Sequence, residues 1–195
     1  PLTLPPGKSC RMLLDTGIYR CAWPRLVARG GAGALISLLW AESLYVMDPS
    51  APKTMGSYGQ GEKGRRGETE GKYFHGEGDT WLMDGREQVL ESHTWHAGRF
   101  VLLTVQGGRE PLIFTATSLL ATGYPMDLES RFASSDATLD ASIPILWNAL
   151  LSCSHETYMD CPYYERMMYV GDTRLESLVT YVATIDSRLP RKALT

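Results

Sequence analysis

The chain has 195 residues, of which 44% are hydrophobic and 21% charged, and its formal net charge is −3. That length suits one or two domains with a real apolar core, and the charge excludes a basic footprint for nucleic acid or for an anionic membrane surface. No apolar run approaches a membrane span, and the one basic cluster, Lys63, Arg65 and Arg66, is flanked by acids in a glycine-rich stretch.

The chain opens at "PLTLPPGKSC" without an initiator Met and stops at "RLPRKALT" as a helical pattern resumes. Both ends read as cut, so the compartment stays open. Four cysteines, Cys10, Cys21, Cys153 and Cys161, are too few and too scattered for a disulfide scaffold. A Cys10–Cys21 bridge would require the strands carrying them to pair.

Up to about residue 125 the punctuation is that of a β protein. "ALISLLWAE" (34–42), "RFVLLTVQ" (99–106) and "LIFTATSLL" (112–120) are short strand-like runs set off by turn residues. In "TWLMDGREQVLE" (80–91), Asp84-Gly85 lies between two alternating segments and predicts a hairpin. Between Met55 and Gly78 eight glycines mix with charges, which predicts a long exposed excursion with neither helix nor strand. Short strands with regular turns point to an antiparallel sandwich. Trp40 reads as core, whereas Trp95 with Arg99 reads as core or interface rather than as a sugar platform. His93 and His96 suit neither a helical pair nor one strand face and read as surface residues, and His75 shows no evident partner.

After Tyr124-Pro125 the texture becomes helical. "SSDATLDASIPILWNALLSCSHETY" sets Leu139, Ile143, Leu146, Trp147 and Leu150 at helical spacing, with Asp136 as N-cap and Pro144 marking a first turn or a kink. "GDTRLESLVTYVATI" repeats the pattern through Leu175, Leu178, Val179 and Val182, with Asp172 at the cap. A third helix is expected near Ser187, with Pro190 in its first turn. So few helices bury little alone and should dock or expose an apolar face.

Between the two longer helices lies "MDCPYYERMMYVGDTR" (159–174), which holds Asp160, Glu165 and Asp172 within thirteen positions. Glycosidic hydrolysis needs a protonated carboxyl beside the leaving oxygen and a carboxylate that activates water or attacks the sugar. Neighbouring acids and a partly apolar wall keep one carboxyl protonated, tyrosines stack on sugar faces, and ionised carboxylates grip adjacent hydroxyls. Two plainer readings stand beside this one. Asp172 can be an ordinary cap with Glu165-Arg166 a solvated pair, or Cys153, His155, Asp160 and Cys161 can form a metal loop, although their spacing fits no standard zinc pattern.

The segment resembles the signature of bacterial α-L-rhamnosidases, glycoside hydrolase family 78, at Asp160, Cys161, Pro162, Glu165, Arg166, Gly171 and Asp172. "LLDTGIYRCAWPRLVARGGAGALISLLWAESLY", "SHTWHAGRFVLLTV" and "ASSDATLDASI" are similar to the family's sandwich segments and to its entry into the first barrel helix. The chain departs from the pattern at Tyr163-Tyr164 and at Met167-Met168-Tyr169, which replaces the usual Leu-Gly-Trp. The resemblance implies an antiparallel β-sandwich (jelly-roll-like) over 1–126, an accessory domain. A linker and the first helices of an (α/α)6 barrel follow over 127–195. It implies Glu165 as general acid, with Asp160 and Asp172 on rhamnose hydroxyls and Tyr169 as a hydrophobic wall beside Arg166. It implies no metal or other cofactor. The implied substrate is a rhamnose-containing glycoside or polysaccharide, and the implied partner is the remaining barrel of a longer chain, which supplies the general base of an inverting mechanism. The 195-residue piece is then expected to be inactive. The alternative is a non-catalytic carbohydrate-binding or scaffolding sandwich module.

Overall fold

Alternating apolar residues build a seven-stranded antiparallel ladder in the first part of the chain: β1 (Leu2–Leu4), β2 (Ser9–Gly30), β3 (Leu35–Ala41), β4 (Glu77–Leu82), β5 (Gly85–Glu91), β6 (His96–Gln106) and β7 (Leu112–Ala121). The computed structural model describes residues 1–46 and 65–194. The chain divides into two compact units, Pro1–Ala121 and Thr122–Thr195.

The 22-residue strand β2 organises the first unit. Its first part pairs with β6, from Ser9 opposite Gln106 to Ala22 opposite His96, and its last part pairs with β7 on one side and β5 on the other. The ladder therefore folds over at β2 into two leaves, β4–β3–β6–β2 and β5–β2–β7–β1. A register shift between Asp15 and Arg20 makes the bend possible. There Gly17 takes a φ of 79°, and its N–H donates to Asp15 Oδ1 at 2.8 Å. The Asp15 carboxylate in turn accepts two 2.7 Å bonds from Arg99, and Thr16 Oγ1 donates to the Arg99 carbonyl at 2.9 Å. Arg99 thus fastens the bend to β6.

The core follows the period of two that a strand face requires. Leu26 and Ala28 of β2, Ile36, Leu38 and Trp40 of β3, Val101, Leu103 and Val105 of β6, and Leu112 and Phe114 of β7 are all buried. Each large one contributes about 1.5–3 kcal/mol of apolar transfer free energy. A cleft of about 320 Å³ runs between the leaves, lined by Met12, Leu14 and Val101 from one and by Leu26, Phe114 and Leu119 from the other.

The sandwich expected from the sequence is present, with several local differences. Asp84-Gly85 does turn the chain, Gly85 having a φ of 94°, but β4 pairs with β3 and β5 with β2, so the turn is a crossing between leaves and not a hairpin. Cys10 and Cys21 both lie on β2, opposite Val105 and Ala97, and no disulfide joins them. His96 is not a surface residue. It is buried, stacks on Trp40 at 6.2 Å and meets Asp79 through Nε2 at 2.7 Å. His75 packs edge-on against Tyr45 at 6.0 Å. The first part of the glycine-rich stretch, 55–64 with Lys63, lies outside the described residues; in the rest, Tyr73 bridges to Tyr45 and β4 begins at Glu77, so the expected absence of strand does not hold there.

The second unit holds α1 (Ala137–Ser152), α2 (Val170–Ala183) and α3 (Arg188–Lys192). Asp136 caps α1 as its sequence suggests, accepting from the Thr138 N–H at 2.8 Å, and Pro144 sits inside the helix. The α2 N-cap is Tyr169 rather than Asp172, which stands in the first turn. Met126, Leu150, Tyr158 and Leu189 form a small core, against which Trp147 packs. Glu129 fastens the linker to the end of α2: its N–H donates to the Ala183 carbonyl, and its carboxylate accepts from Thr184 Oγ1 at 3.0 Å and from the Ile185 N–H at 2.6 Å. No described helix is long and apolar enough to cross a membrane.

Candidate functional site

The acid-bearing segment is a ring of backbone hung from the end of α1. Cys153 closes that helix, its carbonyl accepts from the Met159 N–H at 2.9 Å, and Ser154 bridges to Tyr158. Tyr158 is fully buried and shares a 2.6 Å hydrogen bond with Thr180 of α2, so the segment is held to both helices. Asp160 then closes the ring on Met167 twice, donating its N–H to the Met167 carbonyl at 2.9 Å and accepting the Met167 N–H on Oδ1 at 3.1 Å.

Inside this ring Pro162 fixes its own φ and steers Cys161 away from helix, giving a tight reversal. The Glu165 N–H donates to Cys161 Sγ at 3.4 Å, and the Arg166 N–H donates to the Cys161 carbonyl at 3.2 Å. Tyr163 is buried against Tyr164 with the rings edge to face at 4.7 Å, which leaves Tyr164 at the surface. Arg166 takes a left-handed φ of 54°, unusual for a residue with a side chain, and its Nε donates to the Pro162 carbonyl at 2.9 Å. Its side chain thus turns back onto the ring.

The ring holds three of the five candidate site residues, Asp160, Glu165 and Arg166, and a fourth reaches it from the start of α2. Tyr169, at the N-cap of α2, donates its hydroxyl to Glu165 Oε2 at 2.5 Å. Hydrogen bonding to Glu165 raises the Tyr169 phenol above its ordinary range, with further pushes from the Asp160 and Asp172 charges. Of the three carboxylates, Glu165 is hydrogen-bonded to this exposed hydroxyl, whereas Asp160 and Asp172 act on it through charge. For Asp160, burial works against ionisation, but hydrogen bonds from Cys161 and from the Met167 N–H outweigh it and hold the carboxyl below its usual range. Asp172 is exposed in the first turn of α2, where the helix dipole favours an anion.

A fourth acid, to which the sequence drew no attention, lies behind these three. Glu176 is one turn beyond Asp172 on α2 and half-buried, and its Oε2 is buried without a hydrogen-bond partner among the described residues. Burial first, and then the Asp172 and Asp160 charges, push its carboxyl up to about 7. Cys153 faces the same cluster. Burial pushes its thiol up to about 12, with Glu176, Cys161, Asp160 and Asp172 adding to the effect. Such a thiol keeps its proton at neutral pH and is a poor nucleophile. The His155 Nε2 contacts the Ser152 carbonyl at 3.2 Å, and among the described residues no group of three or more His, Cys, Asp or Glu side chains is placed to hold a metal ion. The i, i+4 spacing of Asp172 and Glu176 was the available sequence signal, since it puts both on one helix face.

No protein-family model matches the chain, and no curated protein matches it at a significant level. Solved structures do share its fold. A GH78-family rhamnosidase of Bacillus sp. GL1 superposes with a TM-score of 0.69 at 23% identity, over 95% of this chain and 17% of its own. A rhamnosidase from Klebsiella oxytoca with rhamnose bound superposes with a TM-score of 0.70 at 19% identity, over 99% of this chain and 36% of its own. The chain thus spans well under half the length of either. At these identities the likeness is one of fold, an antiparallel β-sandwich followed by helices.

Proposed function

We propose that the chain carries the proton-donating and sugar-gripping loop of a glycoside hydrolase that removes terminal α-L-rhamnose, or a related sugar, from a glycoside or polysaccharide. The observation that carries the reading is the Tyr169–Glu165 hydrogen bond, which holds Glu165 on the ring that Asp160 closes against Met167. The fold shared with two rhamnosidases adds to it.

In this reading Glu165 is the general acid. Tyr169 holds Oε2 and fixes the rotamer, leaving Oε1 to carry the proton to the departing glycosidic oxygen. Asp160, kept ionised by its hydrogen bonds to the ring backbone, and Asp172 accept hydroxyls of the sugar, two bonds to each carboxylate. Tyr169 presents its ring as the apolar wall, and Arg166 sets the shape of the ring beside the sugar. The sandwich, 1–126, is an accessory domain, and 127–195 is the linker and entrance of an α/α-barrel catalytic domain. Inversion requires a second carboxylate across the sugar ring with space for water, and we assign that base to a longer parent protein, outside this chain. The 195-residue chain then binds the sugar without turning it over.

Titration with L-rhamnose and assay on an aryl rhamnoside test this. Weak binding that D160N and D172N each reduce, with no turnover, is the expected result. Substantial turnover abolished by E165Q would overturn the inactive-piece reading. Binding that ignores both aspartates and depends on Trp95 would make the chain a carbohydrate-binding module instead.

A further inference from the structure

The pair that would grip the sugar, Asp160 and Asp172, has Glu176 behind it, an acid with no part in the proton transfer or the grip. It stands one helical turn from Asp172, so the two side chains share a face of α2. The groups bearing on it come from every side of the cluster: Asp172 from its own helix, Asp160 from the ring, and Cys153 and Tyr158 from the end of α1 and the strand-like bridge after it. None of these is a cation. One carboxyl oxygen is buried with no donor to meet it, a costly arrangement for an anion and a tolerable one for an acid that keeps its proton.

Resting on the functional reading above, we propose that Glu176 is a positioning residue that keeps its proton one helical turn from Asp172, so that the sugar-gripping aspartates are not pushed apart by a third negative charge. Three adjacent carboxylates cannot all ionise cheaply in a partly desolvated cluster, as in other sites where neighbouring acids share protons. If Glu176 lost its proton, the added negative charge would act on Asp172 from about 6 Å, the distance between i and i+4 side chains. The two aspartates, both ionised, are then crowded by a third negative charge and spread apart, and sugar affinity falls. Screened Coulomb repulsion at that range corresponds to a loss of about three- to tenfold. His155, whose ordinary range lies close by, is kept neutral by burial and contacts a backbone carbonyl rather than this cluster.

The test uses the 195-residue chain, L-rhamnose as probe, and carbon NMR of the side-chain carboxyls. In the wild-type protein the Glu176 resonance, assigned by its loss in E176Q, should titrate near neutrality, and the Asp160 and Asp172 resonances should respond in the same step. Rhamnose binding should weaken about three- to tenfold from pH 5.5 to 8.5. In E176Q, an uncharged mimic of the protonated acid, the aspartate step should vanish and affinity should stay at the wild-type acidic value at both pH values. Glu176 titrating in the ordinary glutamate range overturns the proposal. So does an unchanged aspartate step or an unchanged pH dependence of binding in E176Q. If neither protein binds rhamnose at any pH, the sugar reading fails by itself, and the NMR titration still decides whether Glu176 keeps its proton and whether the aspartates sense its charge. Should E176Q misfold, the wild-type Glu176 carboxyl is assigned instead by through-bond correlation to its backbone, and its titration decides whether Glu176 keeps its proton near neutrality.

Discussion

The two units carry similar apolar patterning and treat it in opposite ways. In the sandwich, Leu26, Ile36 and Trp40 are fully buried. On the helices, Leu146 is 60% exposed, Leu178 and Val179 are each 52% exposed, and Val182 is 76% exposed, although all lie on the periodic faces that mark a core-facing helix. Beside these residues, Leu128, Phe132, Trp147 and Ala183 line a groove of about 390 Å³ that is almost wholly apolar. Periodicity tells which face of a helix avoids water. It does not tell whether this chain supplies the cover.

The sharpest way to break the contrast is a matched pair of truncations. Trp40→Ala should destabilise the sandwich by about 3–5 kcal/mol, because transfer and cavity terms add at a fully buried site. Val182→Ala should change the helical unit by no more than about 0.5 kcal/mol, as exposed positions do. Urea unfolding followed separately in each unit measures both, and comparable losses would mean that the helical faces are covered in solution.

The next largest effect is electrostatic and confined to the helical unit. Glu176 has its folded-state pKa raised, from 4.5 to about 7. Its contribution to stability is therefore fully present below about pH 4.5 and is lost as pH rises through 7. Glu176→Gln should leave stability unchanged at about pH 4 and raise it by about 1–2 kcal/mol at about pH 8, after discounting a half-exposed group for solvent screening. Thermal melts of the two proteins across that range check the sign. A smaller effect concerns the start of α1. Asp136→Ala removes the acceptor of the Thr138 N–H and should lower the stability of that helix by about 1 kcal/mol.

The smallest effect belongs to the sandwich. Asp15 is held below the usual carboxylate range chiefly by its Arg99 hydrogen bonds, so its contribution is present above pH 3.8 and fades as the pH falls further. Both side chains are partly exposed, and Asp15→Asn should lower stability by under about 1 kcal/mol at neutral pH. A loss several times larger would show that the bend in β2 depends on this pair more than its exposure implies.

Local chemistry made much of this legible in the sequence. Alternation over 34–42 and 99–106 marked β3 and β6, Asp136 marked the start of α1, and the spacing of Asp160, Glu165 and Asp172 marked the acid ring. What was not legible depends on distant partners. Asp84-Gly85 announces a turn, but whether the flanking strands pair with each other is decided by β3 and β2. Strands were expected at Cys10 and Cys21, but their continuity as the single strand β2 was not legible, because Gly17 and Pro24 interrupt its alternation; both are tolerated where the strand bends and changes leaf. His96 resembled a surface residue until Asp79, 17 positions earlier, gave its ring a buried partner. Glu176 looked like an ordinary helix-face acid. Its character comes from burial and from the charges around it, which a single sequence does not display.

The double membership of β2 also bears on how the protein is made. Its N-terminal part waits for β6 and its C-terminal part for β5 and β7, so the first leaf cannot close before Gln106 is available and the second not before Ala121. At ribosomal speeds of about 5–20 residues per second, a long apolar strand spends several seconds in search of partners that do not yet exist. The sandwich should therefore fold late and all at once, and the nascent chain should be a client for whatever shields unpaired strands near the exit tunnel.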